Sequence, residues 1–516
     1  MKPIKRRIIV LISCTLPVFT HQADAAIDWT TWNRSSADIK LIDSHIAPDG
    51  RLRILFVEDV SFSSTERLVK LATVDEGSFQ VETIEKVGNA TESSIEHHVR
   101  LVGNNERVWA VWRKKIGSGA ATIRAAQIYP RSGPLTLEVV DNNNSFNRYD
   151  AAIGSDGLPR VVFIESAGFR LGMVRRHAAG AWSTTYNAAP TLTHLGDFIY
   201  RELSLASHGN KLGLAYVLNE RGGSSGTSAP YNSKLIYRSA TEPANWSTLT
   251  FGTAEVVAEA NFNPELPIAN GIELAITESG HPAMSFPNLS NSSGTMAVRS
   301  AAGVWSSHVF VSAFSAPRGT NLALSPDGNI HVSWQSTINH VHHRVWNGSS
   351  FGPSNEVTGV TSFSPDLEIN SDNLPLIVSR STDGSLLQVT LPTDITDEDR
   401  DGVTYLAEIA FGMDPQLPDL EDLPSIEAKS FGGQDYITVV YLGRSGGTGI
   451  NPYITADFEY HTEVSEDLIT WSSSSSDVVQ ESRFTIAGKG TVNTHRSTAV
   501  LGSKGKLFLR VRVVRR

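Results

Sequence analysis

Residues 150–163 read DAAIGSDGLPRVVF, and six other segments of the chain follow the same pattern. They read DSHIAPDGRLRILF from Asp43, HVRLVGNNERVWAVW from His98, ELSLASHGNKLGLAY from Glu202, ELAITESGHPAMSF from Glu273, NLALSPDGNIHVSW from Asn321 and DLEINSDNLPLIVS from Asp366. Each segment has a polar residue, apolar residues at alternate positions, a tight turn and an apolar run. This order is typical of a β-hairpin.

Each turn contains one anchor residue, which is always glycine or asparagine. The anchors are Gly50, Asn105, Gly157, Gly209, Gly280, Gly328 and Asn373, and their spacings are 55, 52, 52, 71, 48 and 45 residues. Glycine and asparagine are the residues that tolerate positive φ, so we expect positive φ at every anchor.

Two more strand-like stretches follow each hairpin. A unit of about four short strands in about 50 residues is typical of a β-propeller blade. The sequence therefore predicts an all-β fold with a seven-bladed β-propeller over residues 26–392. The last unit has only three strands, and residues 27–33 resemble an outer strand, so we expect the N-terminus to complete that blade and leave no open edge.

The fourth strand of several units opens with tryptophan, at Trp182, Trp246, Trp305 and Trp346. The repeat resembles the BNR-like and sialidase-like propeller repeats of secreted bacterial proteins, which implies the fold more than an activity. Arg148, Arg201 and Arg318 precede first strands and are candidates for the arginine triad of a sialidase. However, the propeller lacks a Phe/Tyr-Arg-Ile-Pro segment and an Asp box, so a sialidase is not expected.

The N-terminus has the pattern of a signal peptide over residues 1–25. A basic start precedes an apolar stretch at residues 8–19, and Ala23-Asp24-Ala25 is a small-residue cleavage site. The only cysteine, Cys14, leaves lipid anchoring as an alternative, but apolar sequence continues past it, which favours soluble export. We therefore expect a secreted or cell-surface protein.

The later sequence has no apolar stretch long enough to span a membrane. The net charge of −10 argues against nucleic acid and anionic membranes as partners. The expected partner is an extracellular polysaccharide or protein, and the chain is expected to be a monomer.

Residues 397–408 match the calcium-loop pattern D-x-D-x-D-G-x5-E. The expected Ca²⁺ ligands are the side chains of Asp397, Asp399, Asp401 and Glu408 and the carbonyl of Val403, because calcium prefers six to eight oxygen ligands. A short helix is predicted from Tyr405 to Phe411. The segment, placed at residues 393–415, resembles the single calcium loops of dockerin and thrombospondin type 3 repeats.

A linker at residues 416–424 leads to alternating strand patterns at residues 425–516, which predict a small β-sandwich. Residues 460–471 resemble the Y-x-x-E-x-S-x-D-L-x-x-W strand and turn of C-terminal modules in secreted bacterial proteins. In such modules the motif is structural.

A polar residue lies seven positions before every anchor. The set is Asp43, His98, Asp150, Glu202, Glu273, Asn321 and Asp366. If these residues lie on innermost strands, they surround the propeller axis, where propellers commonly hold ligands. The alternative is that each side chain bonds a local turn or the backbone of the next blade. We favour this alternative, because a feature of every repeat ordinarily serves the repeated structure.

His340 and His342 share a strand face and are a candidate zinc pair, but a third ligand is not evident and an exposed strand is favoured. No phosphate loop or nucleophile elbow occurs. The sequence thus favours a glycan- or protein-binding module. The alternative is a polysaccharide-degrading enzyme, either a lyase with His98 as base beside Tyr149 and an arginine, or a glycoside hydrolase that uses two of the carboxylates in this set.

Overall fold

The chain divides into two compact units in this computed structural model, Thr31–Leu391 and Pro392–Arg516, the latter grouped with residues 1–30. The structure describes residues 29–36, 38–60, 66–75, 77–88, 99–115, 121–141, 148–165, 170–183, 186–188, 198–221, 231–243, 245–260, 271–288, 293–312, 318–336, 339–370, 373–393, 404–411, 413, 423–466, 470–487, 489–501, 503 and 507–515. The expected signal peptide and Cys14 lie outside the described residues.

Strand β1 (Trp29–Ser35) lies mostly in the first unit, and five four-stranded sheets follow it in the chain. They are β2 (Ile39–Ile46), β3 (Leu52–Asp59), β4 (Arg67–Asp75) and β5 (Ser78–Gly88); β6 (Val99–Gly103), β7 (Val108–Lys114), β8 (Thr122–Tyr129) and β9 (Glu138–Asp141); β10 (Tyr149–Ile153), β11 (Pro159–Glu165), β12 (Arg170–Arg175) and β13 (Tyr186–Asn187); β14 (Phe198–His208), β15 (Lys211–Arg221), β16 (Tyr231–Thr241) and β17 (Glu255–Ala260); and β18 (Glu273–Ile276), β19 (Pro282–Asn288), β20 (Ser293–Arg299) and β21 (Trp305–Val311). In each sheet, strands that are consecutive in the chain pair antiparallel.

One larger sheet completes this unit. It contains β22 (Arg318–Leu324), β23 (Ile330–Gln335), β24 (His340–Trp346), β25 (Asn355–Ile369), β26 (Pro375–Ser381) and β27 (Leu386–Pro392), with β1 beside β27. The long strand β25 joins two pairings, because residues 355–361 pair with β24 and residues 362–369 pair with β26. The N-terminal strand therefore lies at the end of this sheet, beside the last strand of the unit.

The first strands of successive sheets contact one another in a closed ring. Strand β2 contacts β6, β6 contacts β10, β10 contacts β14, β14 contacts β18, β18 contacts β22, β22 contacts β25, and β25 contacts β2. Sheets arranged radially around a ring of first strands form a β-propeller. The predicted all-β propeller is therefore present.

The hairpin turns explain the residue choice at the anchors. Six of the seven have positive φ, from 57° at Gly209 to 86° at Gly328, with Asn373 at 64°. The expectation is wrong for Asn105, which is not among the residues with positive φ. There the neighbouring Asn104 shapes the turn, since its Oδ1 accepts hydrogen bonds from the N–H groups of Glu106 and Arg107.

The hydrophobic cores of the propeller lie between adjacent sheets. Trp109 and Val111 on β7, for example, pack against Tyr149 on β10 and Phe163 on β11, and all four are at most 2% exposed. The apolar runs after the turns place such residues on both faces of the second strand, so β3 and β7 are buried almost throughout.

The second unit contains helix α1 (Tyr405–Phe411), as predicted, and two sheets. The four-stranded sheet has the order β28 (Ser425–Phe431), β29 (Gln434–Gly443), β33 (Gly490–Val500) and β32 (Val478–Ile486). The three-stranded sheet has the order β30 (Tyr453–Ile454), β31 (Phe458–Ser465) and β34 (Phe508–Arg515). One core joins both sheets with the apolar face of α1, which presents Leu406, Ala410 and Phe411.

Within the described ranges, no helix is long and apolar enough to cross a membrane.

Candidate functional site

The first strands of the propeller enclose a cavity of 440 Å³, here called the axial cavity. Five of the seven residues at the predicted polar position line it, namely Asp43, Asp150, Glu273, Asn321 and Asp366. Glu202 lies on β14 and is not part of the lining, and its carboxylate is 3.0 Å from Arg148 Nη2. His98 lies outside the described residues.

Four of these side chains link one first strand to the next. The Ser44 N–H and hydroxyl both donate to Asp366 Oδ2 at 2.6 Å, and the Leu205 N–H donates to Asp150 Oδ2 at 2.7 Å. The Leu101 N–H likewise donates to Asp43 Oδ2, and Asn321 Nδ2 donates to the Pro365 carbonyl. These contacts are the structural role that we favoured from the sequence, and they satisfy backbone groups where adjacent sheets meet.

The repeat changes in the fourth and fifth units. Ser204 Oγ, and not Glu202, accepts from the Leu274 N–H at 3.1 Å. Glu273 follows in the next unit, and its Oε2 is buried with no hydrogen bond among the described residues. Glu273 is therefore the acidic member of the cavity wall for which the described residues give no linking role.

Arg100 is a central residue of the cavity that the sequence reasoning missed. Its guanidinium is 2.6 Å from Asp150 Oδ1, 3.3 Å from Asp43 Oδ1 and 3.7 Å from Glu273 Oε2. It lies on β6, five residues before its anchor. The equivalent residues are His45, Ala152, Ser204, Ala275, Ala323 and Glu368. A charged residue where most repeats have alanine or serine was the signal that could have identified it.

The position five residues before each anchor gives the cavity wall two kinds of surface. His45, Arg100 and Glu368 come from three consecutive first strands of the ring, and His45 Nδ1 is 3.8 Å from Glu368 Oε1. Ala152, Ala275 and Ala323 supply small apolar surface elsewhere on the wall. The cavity therefore has a charged sector and a small-residue sector.

Gly103 provides the space for His45. A Cβ built on Gly103 would lie 2.3 Å from His45 Nε2, much closer than real Cβ contacts. A side chain at this position would displace the imidazole from its place in the charged sector.

The carboxyl groups of the cavity are held in an unusual electrostatic environment. Burial raises the pKa of Glu273 to about 8, with nearby carboxylates adding to the shift and Arg100 opposing it. Burial also raises the pKa of Asp366 to about 6, and repulsion from Glu368 adds to that shift. This shift favours the protonated form of Glu273 at neutral pH, and a cation bound beside it would lower the pKa and favour the carboxylate.

Tyr149, considered as a partner of His98 in a lyase, belongs to the core between sheets. It is 2% exposed, its hydroxyl donates to the Val111 carbonyl at 3.0 Å, and burial raises its pKa well above the usual value. Arg148 is engaged with Glu202, as described above. The side chains of Arg201 and Arg318 lie outside the described part of the structure.

The candidate zinc pair has other contacts. His340 Nδ1 is 2.7 Å from Glu356 Oε1, and His342 stacks on Trp334 with ring centroids 5.3 Å apart. His343, on the opposite face of β24, has Nε2 at 3.0 Å from Nδ1 of His331. Over the described residues, no group of three or more potential metal-ligating side chains occurs.

The described residues include only the end of the predicted calcium loop. Asp397, Asp399, Asp401 and Val403 lie outside the described residues. Glu408 lies in the first turn of α1, and its side chain is fully buried.

No protein-family model matches the chain, and no curated protein matches it in sequence. Solved structures with similar folds include an ulvan lyase bound to -[GlcA(1-4)Rha3S]-, at 10% identity and TM-score 0.47, covering 69% of this chain and 94% of the lyase. The polysaccharide lyase Uly1 is similar at 8% identity and TM-score 0.45, covering 69% and 90%. The six-bladed fungal lectin of Aleuria aurantia is similar at 12% identity and TM-score 0.37, covering 57% and 91%. These similarities are too distant to assign an activity to this chain.

Proposed function

We propose that this protein binds a carbohydrate, and that part of the ligand enters the axial cavity. The observation that carries the proposal is the mixed wall of that cavity, where carboxyl groups and Arg100 lie among the small apolar side chains of Ala152, Ala275 and Ala323. A sugar ring has hydroxyl groups on its edge and C–H groups on its faces, so it needs both kinds of surface. A cavity of 440 Å³ is within the range of small-ligand sites.

The polar groups suit sugar hydroxyls. Glu273 can accept or donate a hydrogen bond according to its protonation, and Ser207 and His45 add polar atoms to the wall. Asp43 and Asp150 hold Arg100 in place, so its guanidinium is preorganised and loses little freedom on binding.

A glycoside hydrolase is the second candidate, favoured by one observation. Glu273 has a pKa of about 8 and is close to Arg100, which also contacts Asp150. An acid that keeps its proton beside a second carboxylate is the pair that glycoside hydrolysis requires. Binding remains the preferred function, because Asp150 already accepts the Leu205 N–H and contacts Arg100.

The remaining features complete the proposal. We propose seven blades, counting β25 in two of them, with β1 as the closing strand. The two sheets of the second unit form a β-sandwich, and the protein is a secreted monomer. Asp397, Asp399, Asp401, Val403 and Glu408 bind Ca²⁺; the buried Glu408 carboxylate on α1 is compatible with this role.

A glycan array combined with a polysaccharide-degradation screen on the exported protein tests the function. Saturable binding that is lost in Glu273→Gln and Ala275→Trp, without reducing ends or unsaturated products, supports a binding protein. The Ala275→Trp variant fills the small-residue sector and tests the cavity by volume rather than charge. Turnover abolished by Glu273→Gln supports the hydrolase, and binding that neither variant reduces would show that the site lies elsewhere.

A further inference from the structure

Among the described residues that line it, the axial cavity has more carboxyl groups than cations. Five carboxyl side chains line it, from Asp43, Asp150, Glu273, Asp366 and Glu368. The cationic side chains in the same lining are Arg100 and, when protonated, His45; the lining contains no lysine. A ligand with its own carboxylate or sulfate would add another negative charge to this space, which is unfavourable at short distance.

Three of the five carboxyl groups accept hydrogen bonds from neighbouring strands. Asp43, Asp150 and Asp366 accept backbone N–H groups of the next first strand, and Glu368 faces His45 at 3.8 Å. Arg100 lies 3.3 Å or less from Asp43 and Asp150. Its positive charge is thus engaged within the wall.

Glu273 differs from these three aspartates. Its Oε2 is a buried atom that accepts no hydrogen bond among the described residues, and the nearest guanidinium nitrogen of Arg100 is 3.7 Å away, beyond hydrogen-bond distance. The Glu273 side chain lines the cavity and is 25% exposed, so a ligand in the cavity can contact it. A positively charged donor on that ligand would offset the surplus of carboxylates.

The geometry points to a ligand that carries a protonated amine, and we infer that the axial cavity selects an amino sugar with a free ammonium group, bound at Glu273. This inference rests on the proposed carbohydrate-binding function. The small-residue sector gives the sugar ring its contact surface, whereas the ammonium group donates to Glu273. An N-acetyl group removes the charge and adds bulk, and a uronic acid reverses the charge, so both should bind less well.

The test compares three ligands of equal length by isothermal titration calorimetry on the full exported chain: a glucosamine oligomer, the N-acetylglucosamine oligomer and a glucuronate-containing oligosaccharide. A charged hydrogen bond contributes enough for a preference of about tenfold or more for the glucosamine oligomer. Glu273→Gln should reduce that preference to below about threefold while the protein stays folded by circular dichroism. The control is Glu82→Gln, which should keep the preference, because Glu82 forms an exposed ion pair with Arg131 and neither residue is in the cavity lining.

Each outcome has a distinct meaning. Tighter or equal binding of the N-acetylated or uronate oligomer would overturn the inference and leave the carbohydrate-binding function intact. A glucosamine preference that persists in Glu273→Gln, or is lost in Glu82→Gln, would overturn the assignment to Glu273. Binding of lysine oligomers with no binding of any glycan would overturn the inference and the proposed function together.

Discussion

Replacement of Glu138 tests how adjacent sheets of the propeller are held together at their outer strands. Glu138, on β9, accepts hydrogen bonds from Arg176 at 2.7 and 2.8 Å and from Trp182 Nε1 at 3.0 Å. The guanidinium of Arg176 also lies over the ring of Trp109, 4.7 Å from its centre. A single carboxylate thus joins the second sheet to the third.

The same contact of a glutamate with an arginine and a tryptophan occurs between other adjacent sheets, so it belongs to the repeated structure. Glu85 on β5 accepts from Trp112 Nε1 and Arg124, and Glu255 on β17 accepts from Arg299 and Trp305 Nε1. In each case a glutamate on the last strand of one sheet receives an arginine and a tryptophan of the next sheet.

The cost of Glu138→Ala follows from burial. The side chains of Arg176 and Glu138 are 16% and 17% exposed, so removal of the carboxylate leaves a largely buried cation and an indole N–H without their acceptor. Breaking a fully buried pair costs about 3–5 kcal/mol, and an exposed pair contributes about 0–1 kcal/mol. We expect Glu138→Ala to lower the free energy of unfolding by about 2–4 kcal/mol, between these limits.

The matched control has the same chemistry with more exposure. Arg131 bonds Glu82 through two nitrogens at 2.7 and 3.1 Å, but these side chains are 33% and 42% exposed. Glu82→Ala should therefore cost less than about 1 kcal/mol.

Urea unfolding followed by tryptophan fluorescence measures both variants. All but one of the ten tryptophans precede residue 392, so the signal reports mainly the propeller unit. A double-mutant cycle with Arg176→Ala then isolates the energy of the pair. Equal destabilisation by Glu138→Ala and Glu82→Ala, or a coupling energy near zero, would refute the reasoning from burial.

Three further predictions concern pH, the cavity and calcium. Burial lowers the pKa of His331 to about 4 and that of His343 well below its usual value. The two imidazoles therefore bind protons more tightly in the unfolded chain than in the folded protein. The free energy of unfolding should thus fall as pH decreases from about 6.5 towards 4. The His331 shift alone corresponds to a loss of about 2 kcal/mol in the free energy of unfolding at pH 5. In a variant with glutamine at both positions, the free energy of unfolding measured with urea should change less with pH. An unchanged pH dependence would contradict this prediction. Gly103→Ala should displace His45 and weaken glycan binding by calorimetry with little change in unfolding, and unaltered binding would show that His45 does not serve the ligand. Calcium should raise the melting temperature of the wild-type protein but not of Asp397→Ala, and an equal calcium response in both would contradict the calcium loop.

The sequence was informative about local structure. Turn chemistry and alternation act over a few residues, so the anchors located the hairpins, and the helix predicted from Tyr405 to Phe411 is present as α1. The polar residue seven positions before each anchor was likewise identified as a set, and five of its members line one cavity. Asn105 does not have the expected positive φ, and in this turn the side chain of Asn104 accepts the backbone hydrogen bonds. The residue types alone do not show which of two adjacent asparagines has this role.

The sequence by itself determined the repeating unit, the register of its first hairpin and the residues available to the axis. Only the tertiary structure decided how those residues are used, because ring closure brings together groups as distant in sequence as Ser44 and Asp366. Once the ring is closed, Asp43, Asp150 and Asp366 are engaged by the next strand or by Arg100, and the Glu273 Oε2 atom is left in the cavity without a hydrogen bond among the described residues. That distinction depends on distances across the axis, which a pattern of residue types along one chain does not contain.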